Sequence, residues 1–217
     1  MVKSRPYVIL SAAMSLDGKI ATKTGDSRLS SKKDLVRVHK LRSNVDAILI
    51  GKRTMMIDDP SLTVRYVKGK NPIRIILDSK GNIKSNSKII QTCRKIPTII
   101  IVSEKISEKN VARLHRHGLE VIKCGYKEIN LKKLLHILKK KNIKKLLVEG
   151  GGTTNWSFFK NGLVDEIIVT LVPLILGGKD AISFVGGDGF SKISQACSLK
   201  LKSICHLKNE LVIRYLV

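Results

Sequence analysis

Aromatic residues are scarce: Phe, Tyr and Trp make up 4% of the 217 residues, and there is a single Trp. Proteins that stack bases of single-stranded nucleic acid need more rings than that. Acidic residues are also few, 17 against 41 Lys and Arg, which leaves a formal net charge of +24. The lysines are spread along the whole chain. Their densest cluster, Lys139, Lys140, Lys141, Lys144 and Lys145, straddles the end of a predicted helix, where positive charge is favourable. Such a field attracts phosphorylated small molecules as readily as nucleic acid. The charge alone is compatible with either partner, and the few aromatics argue against nucleic acid as the primary one; no nucleic-acid partner is expected.

Cysteine is limited to Cys93, Cys124, Cys197 and Cys205, far apart, with no C-x-x-C pair and no histidine spaced to complete a zinc site. Reduced thiols, no metal and a cytoplasmic setting are expected. No apolar run approaches the ~18 residues of a membrane span. The basic, then apolar, N-terminus runs straight into Asp17 and Lys19 and reads as a buried first strand, not a signal peptide. His39, His115, His117, His136 and His206 have no nucleophile or metal partner at useful spacing, so no catalytic triad is visible. Repeats and Pro/Gly/Ser linkers are missing, and with 43% hydrophobic residues the chain reads as one folded domain over 1–217.

What is present is an alternation of short apolar runs and amphipathic stretches. Strands are expected over 7–14, 47–50, 73–77, 98–102, 120–123, 146–148 and 167–172. Helices are expected from Ser30 or Ser31 to 43, over 51–58, 107–117 and 131–140, and after the glycines at 150–152. Two final strands, 198–206 and 210–216, flank a Lys208-Asn209 turn. This order implies an α/β fold: a largely parallel central sheet with helices on both faces and a C-terminal antiparallel hairpin. In such sheets ligands sit at the carboxyl ends of the strands.

Residues 145–162, KLLVEGGGTTNWSFFKNG, are the centre of the chemistry. A strand, Glu149, three glycines and then Thr153, Thr154 and Asn155 as capping candidates make an anion site, where backbone approaches a ligand and the first helical amides point at it. The alternative is a tight left-handed turn with no ligand. The pattern is neither G-x-G-x-x-G nor a P-loop. A second dense stretch runs from Gly51 to Arg65. Thr54 lies one turn into a helix that follows a strand, placed to donate to phosphate, with Asp58 on the same face. Asp58 or Asp59 alternatively orders the turn before Pro60. Arg42 and Arg65 are either phosphate ligands or surface arginines.

Together these segments resemble the reductases of riboflavin biosynthesis. The resemblance rests on Ser15-Leu16-Asp17-Gly18-Lys19, Gly25-Asp26-Ser27-Arg28, the block from Thr54 through Asp58-Asp59-Pro60 to Arg65, Leu77-Asp78-Ser79, Glu149-Gly150-Gly151-Gly152 and Pro173-x-x-x-Gly177-Gly178. It spans nearly the whole chain and implies a dihydrofolate-reductase-like fold, NADPH as cofactor and a homodimer. It further implies that Ala13, Thr54, Asp58, Ser79, Gly150, Gly151, Gly152 and Thr153 contact the cofactor, joined by Lys80, Gly81 and Asn82. Ser27, Arg42, Leu62, Arg65 and Glu149 would contact the substrate, the arginines near a ribose 5′-phosphate. The implied reaction moves a hydride to C1′ of a ribosylaminopyrimidine phosphate; no protein group is assigned as catalytic proton donor. The deaminase motifs of the bifunctional relatives are missing, Ser11 replaces a lysine and Leu29 an aromatic, which points to the free-standing type acting on 2,5-diamino-6-ribosylamino-4(3H)-pyrimidinone 5′-phosphate. The rival readings are another pterin- or folate-like reductase on this fold and a basic nucleic-acid-binding protein.

Overall fold

The computed structural model describes residues 4–217. Its strands are β1 (Tyr7–Ser15), β2 (Lys19–Ala21), β3 (Ala47–Gly51), β4 (Ile73–Leu77), β5 (Thr98–Val102), β6 (Glu120–Lys123), β7 (Lys145–Val148), β8 (Glu166–Val172), β9 (Ile182–Ser183), β10 (Lys200–Leu207) and β11 (Glu210–Leu216). The helices are α1 (Lys32–Ser43), α2 (Lys52–Asp58), α3 (Lys88–Gln91), α4 (Glu108–Arg116), α5 (Leu131–Lys140) and α6 (Gly152–Lys160). Nine strands form one sheet in the order β10-β11-β8-β1-β7-β3-β4-β5-β6, while β2 and β9 form a small second sheet. From β8 to β6 every pairing is parallel; β11 joins β8, and β10 joins β11, antiparallel.

The central strands are continuous apolar runs because both faces are covered. On one face α5 packs Leu131, Leu134, Leu135 and Leu138, and α6 packs Phe158, against Leu10, Leu49 and Leu146. On the other, α3 brings Ile89 and Ile90, and α4 brings Leu114, against Ile48, Ile76 and Ile100. The connection after β1 passes over β7 to reach β3, and the connection after β7 passes over β1 to reach β8. The two crossings leave in opposite directions, which opens a crevice at the carboxyl ends of β1, β7 and β3. Register makes the opening explicit. β7 stops at Val148, opposite Leu10, so Ser11, Ala12 and Ala13 continue with no partner on that side.

The expected hairpin lies at 200–216, with Lys208 in the left-handed region at φ 59°. The segments β2, β9 and α3 are not among the expected elements; each is four residues or shorter, too short to show a period. Capping differs from expectation at α6. Its N-cap is Gly151, with no side-chain cap, and Thr153, Thr154 and Asn155 lie inside the helix. At α1 the cap is Ser31, which accepts from the Asp34 amide, and Ser30 donates to the Asp34 carboxylate.

Arg74, the second residue of β4, is fully buried. Its guanidinium donates to the Thr98 and Thr92 hydroxyls and to the Ser61, Ile89 and Ile96 carbonyls. Burial without a carboxylate partner lowers its pKa to about 10. This cation ties the loop after α2 to the sheet.

Candidate active site

The crevice holds a cavity of about 1480 Å³. Ala13, Ser27, Arg42, Thr54, Asp58, Leu62, Ser79, Glu149, Gly150, Gly151, Gly152 and Thr153 all line it. Lys80, Gly81 and Asn82 do not. Their turn faces α4, where Asn110 donates to the Lys80 carbonyl and to Asn82 Oδ1, and Arg113 donates to the Gly81 carbonyl. Arg65 also stands off the cavity wall and is exposed.

Two helices start at this cavity. Each follows a strand, has glycine as N-cap (Gly51 for α2, Gly151 for α6) and lacks a side-chain cap. Their first amides are therefore not committed to a cap and favour an anion. The glycines serve close approach and not a left-handed turn, since none of Gly150, Gly151 and Gly152 has positive φ. A Cβ on Gly151 would stand 2.9 Å from the Thr54 hydroxyl, and one on Gly51 would collide with the Thr154 hydroxyl. Each helix thus places the threonine of its first turn over the other helix's glycine.

The paired acids at the end of α2 divide their tasks. Asp59 adopts φ 38° and accepts from the Lys88 amide at 3.0 Å, so it orders the turn. Asp58 opens on the cavity, yet the protein atoms crowding it push its pKa up, with Ser27 opposing and Asp26 adding to the rise. Leu62, buried at φ 51°, closes the loop. A buried hydrophobic residue held in the left-handed region is unusual and often marks a functional segment.

At the other end, Arg42 grips Glu149 with two bonds, Nε to Oε1 at 2.9 Å and Nη2 to Oε2 at 2.6 Å. Both side chains are about 85% buried, at 13% and 15% exposure. Burial works against the charge on Arg42, but the Glu149 carboxylate outweighs it and holds the guanidinium above its ordinary pKa. The remaining Arg42 nitrogen, Nη1, donates to the Thr63 carbonyl at 3.2 Å. Arg65 donates from Nη1 to the Thr63 hydroxyl at 2.7 Å, which leaves Nε and Nη2 without a partner among the described residues.

Sequence reasoning missed the strap that covers the crevice, residues 173–189. Asp17 accepts from the Leu176 and Gly177 amides at 3.1 and 2.7 Å and from Ser15 Oγ at 2.6 Å. Farther along, the Gly186 amide donates to the Gly152 carbonyl, and the fully buried Asn155 donates to the Phe184 carbonyl at 2.7 Å. The glycine spacing hinted at this segment, but its partners lie 160 residues away for Asp17 and Gly177.

Sheet order and the strap over the crevice give the chain a dihydrofolate-reductase-like architecture. A dihydrofolate reductase from Enterococcus faecalis shares the fold, with a TM-score of 0.55 at 11% identity over 97% of this chain and 95% of that one. The chain belongs to the RibD C-terminal domain family, whose model matches residues 6–213. It is 43% identical over 216 residues, 98% of this chain and 99% of the relative, to the 2,5-diamino-6-ribosylamino-4(3H)-pyrimidinone 5′-phosphate reductase of Methanothermobacter thermautotrophicus. Acinetobacter baumannii RibD superposes with a TM-score of 0.85 at 27% identity, over 99% of this chain and 58% of that longer one. The chain is thus an oxidoreductase of the riboflavin-biosynthesis type. Among the described residues no helix is long and apolar enough to cross a membrane.

Proposed function

We propose that the chain uses NADPH to reduce the ribosylamino side chain of 2,5-diamino-6-ribosylamino-4(3H)-pyrimidinone 5′-phosphate to the ribitylamino product. The observation that carries this reading is the pair of uncapped helix starts, α2 and α6, with Thr54 and Thr154 crossed over Gly151 and Gly51. Two helix N-termini and two hydroxyls suit a pyrophosphate, which needs backbone donors on more than one side. A 43% identical relative of equal length, named for this reductase activity, supports the substrate.

A bound nicotinamide would supply the hydride equivalent that C1′ gains as the C1′–O4′ bond opens, the proton for O4′ coming from solvent. The chain's own residues bind and orient. Gly150 to Thr153 and Thr54 would hold the pyrophosphate, Ala13 and Ser79 would flank the cofactor, and the strap would exclude water. Glu149 would accept from donors of the substrate, with Arg42 fixing both carboxylate oxygens. Arg65, exposed and with Nε and Nη2 unpartnered among the described residues, would take the 5′-phosphate. Ser27 and Leu62 would border the substrate. Lys80, Gly81 and Asn82, which stand outside the cavity wall, would meet the cofactor at its adenosine end.

A homodimer fits the open edge. β10 is exposed along nearly its whole length, with Leu201 and Ile204 at 50% and 55% exposure, and its outer backbone edge is free to pair with a second copy. The four free thiols, one of them exposed, suit a reducing cytoplasm. Titrating NADPH and following its oxidation with the ribosylamino phosphate tests the reading. NADPH binding without pyrimidine turnover would contradict the proposed substrate, and no NADPH binding would contradict the proposed cofactor.

A further inference from the structure

We infer that His39 is a positioning residue: it fixes the main chain at Arg65 and so aims that guanidinium at the substrate phosphate. The inference rests on the reading of Arg65 as the phosphate ligand. His39 lies on α1, one turn before Arg42, and is 1% exposed. Its Nδ1 accepts from the Arg65 amide at 2.7 Å and lies 3.4 Å from the Tyr66 amide. The Tyr66 ring meets the imidazole edge-on, with centroids 4.6 Å apart and planes at 74°.

Residues 63–66 belong to no strand, so side chains hold them. Arg42 takes the Thr63 carbonyl, Asn71 takes the Val64 amide at 2.8 Å, and His39 takes the Arg65 amide. Fixing the amide fixes the direction in which the side chain leaves the backbone. A long, exposed arginine otherwise loses rotamer freedom on binding, and pre-organisation removes part of that cost.

An accepting Nδ1 requires a neutral ring with its proton on Nε2, so the 3.5 Å approach of Arg42 Nη1 to Nε2 is a contact between two donors and not a hydrogen bond. The charged groups that face it are Arg42 from its own helix, Arg65 from the loop and Glu149 from the end of β7, the last already shared with Arg42. Protonation would replace the acceptor with a donor aimed at an N–H and add a third positive charge. The neutral form is therefore the working form, and no acid–base step is assigned to this histidine.

The test compares His39→Phe, which keeps a ring but removes the acceptor, with His39→Asn, whose carbonyl oxygen replaces Nδ1. Substrate with and without its 5′-phosphate, and NADPH, are the three ligands. For His39→Phe, KM for the phosphorylated substrate should rise about tenfold, while kcat, KM for the dephosphorylated substrate and the Kd of NADPH stay within about twofold. His39→Asn should recover most of the loss. Equal losses with both substrates, or no recovery by Asn, would overturn the inference. The parallel variant Arg65→Ala separates the two readings. If it leaves the preference for the phosphorylated substrate intact, the phosphate role of Arg65 fails. If it abolishes the preference but His39→Phe does not, only the role of His39 fails. Nitrogen NMR of the parent protein decides the point even where a variant does not fold: a proton on Nδ1 at neutral pH would contradict the geometry, and a bare, accepting Nδ1 agrees with it.

Discussion

The hydroxyl of Thr54 lies directly over Gly151, 2.9 Å from where a Cβ on that glycine would stand, so the first turn of α2 closes on the N-cap of α6. The two helices begin at strands β3 and β7, which are neighbours in the sheet. Their starts therefore converge, and this convergence is the basis of the proposed anion site.

A first prediction concerns that contact. Gly151 has φ −73°, which any residue adopts, and a Cβ there meets only a movable hydroxyl. Gly151→Val should fold with a melting temperature close to the parent's and lose NADPH affinity by about tenfold or more, since one displaced charged hydrogen bond is worth about 1.5–3 kcal/mol. Gly152→Ala should behave differently, because its Cβ would run into the Ser183 carbonyl of the strap. That variant should lose stability as well as affinity. Thermal melts with and without NADPH distinguish the two.

The Arg42–Glu149 pair gives a second. Removing one member strands the other in a largely buried site. Arg42→Ala should cost about 2–3 kcal/mol of stability and raise the substrate KM more than the NADPH Kd. Adding Glu149→Gln should return part of the stability but none of the activity. Denaturant unfolding and steady-state kinetics of the single and double variants measure both effects.

The pH dependence of stability is a third. Burial first, then the charges of Arg42 and Arg65, lower the His39 pKa from 6.5 to about 4. Between those values the unfolded chain binds a proton that the folded chain does not. Stability should therefore fall as pH drops from 6.5 towards 4. In His39→Asn this part of the slope should vanish. Urea unfolding at several pH values reads it directly, and an identical slope in both proteins would contradict a buried neutral histidine.

A fourth concerns the strap. Asp17 is held to a pKa of about 2, first by Ser15 and then by the amides of the strap. Its latch is thus fully formed above the ordinary value of 3.8 and is lost as pH falls through about 2. Asp17→Ala should speed amide exchange at 174–187 and weaken NADPH binding, with little change in the exchange of β3, β4 and β5. Protection unchanged at Leu176 and Gly177 would remove the latch.

Much of the sheet could be read from the chain because buried parallel strands are uninterrupted apolar runs, as in Ala47–Gly51 and Thr98–Val102. Helix α5 was legible from its leucines and α1 from the Ser30-Ser31 pair, of which Ser31 is the cap. The start of α6 was not: a helix capped by glycine carries no capping side chain, so Thr153 to Asn155 drew the cap two to four residues too late. Tertiary pairing was beyond the pattern altogether. Nothing in the local sequence couples Arg42 to Glu149 across 107 residues, or shows that the Asp17 of a Ser-Leu-Asp-Gly stretch binds the backbone at 176–177. His39 looked inert because it lacks a nucleophile, and its partner is a backbone amide, which no side-chain motif reveals. Lys80 to Asn82 follow a cofactor-type strand end, yet their turn is drawn to Asn110 and Arg113 of α4.

The most direct measurement follows NADPH consumption with three substrates at equal concentration: the ribosylaminopyrimidine with its 5′-phosphate, the same compound without it, and dihydrofolate. Rapid oxidation with the first, at least about tenfold lower kcat/KM with the second and negligible turnover of the third are expected, since each lost charged contact is worth about 1.5–3 kcal/mol. Comparable turnover of dihydrofolate, or none of the phosphorylated pyrimidine, would contradict the proposed reaction.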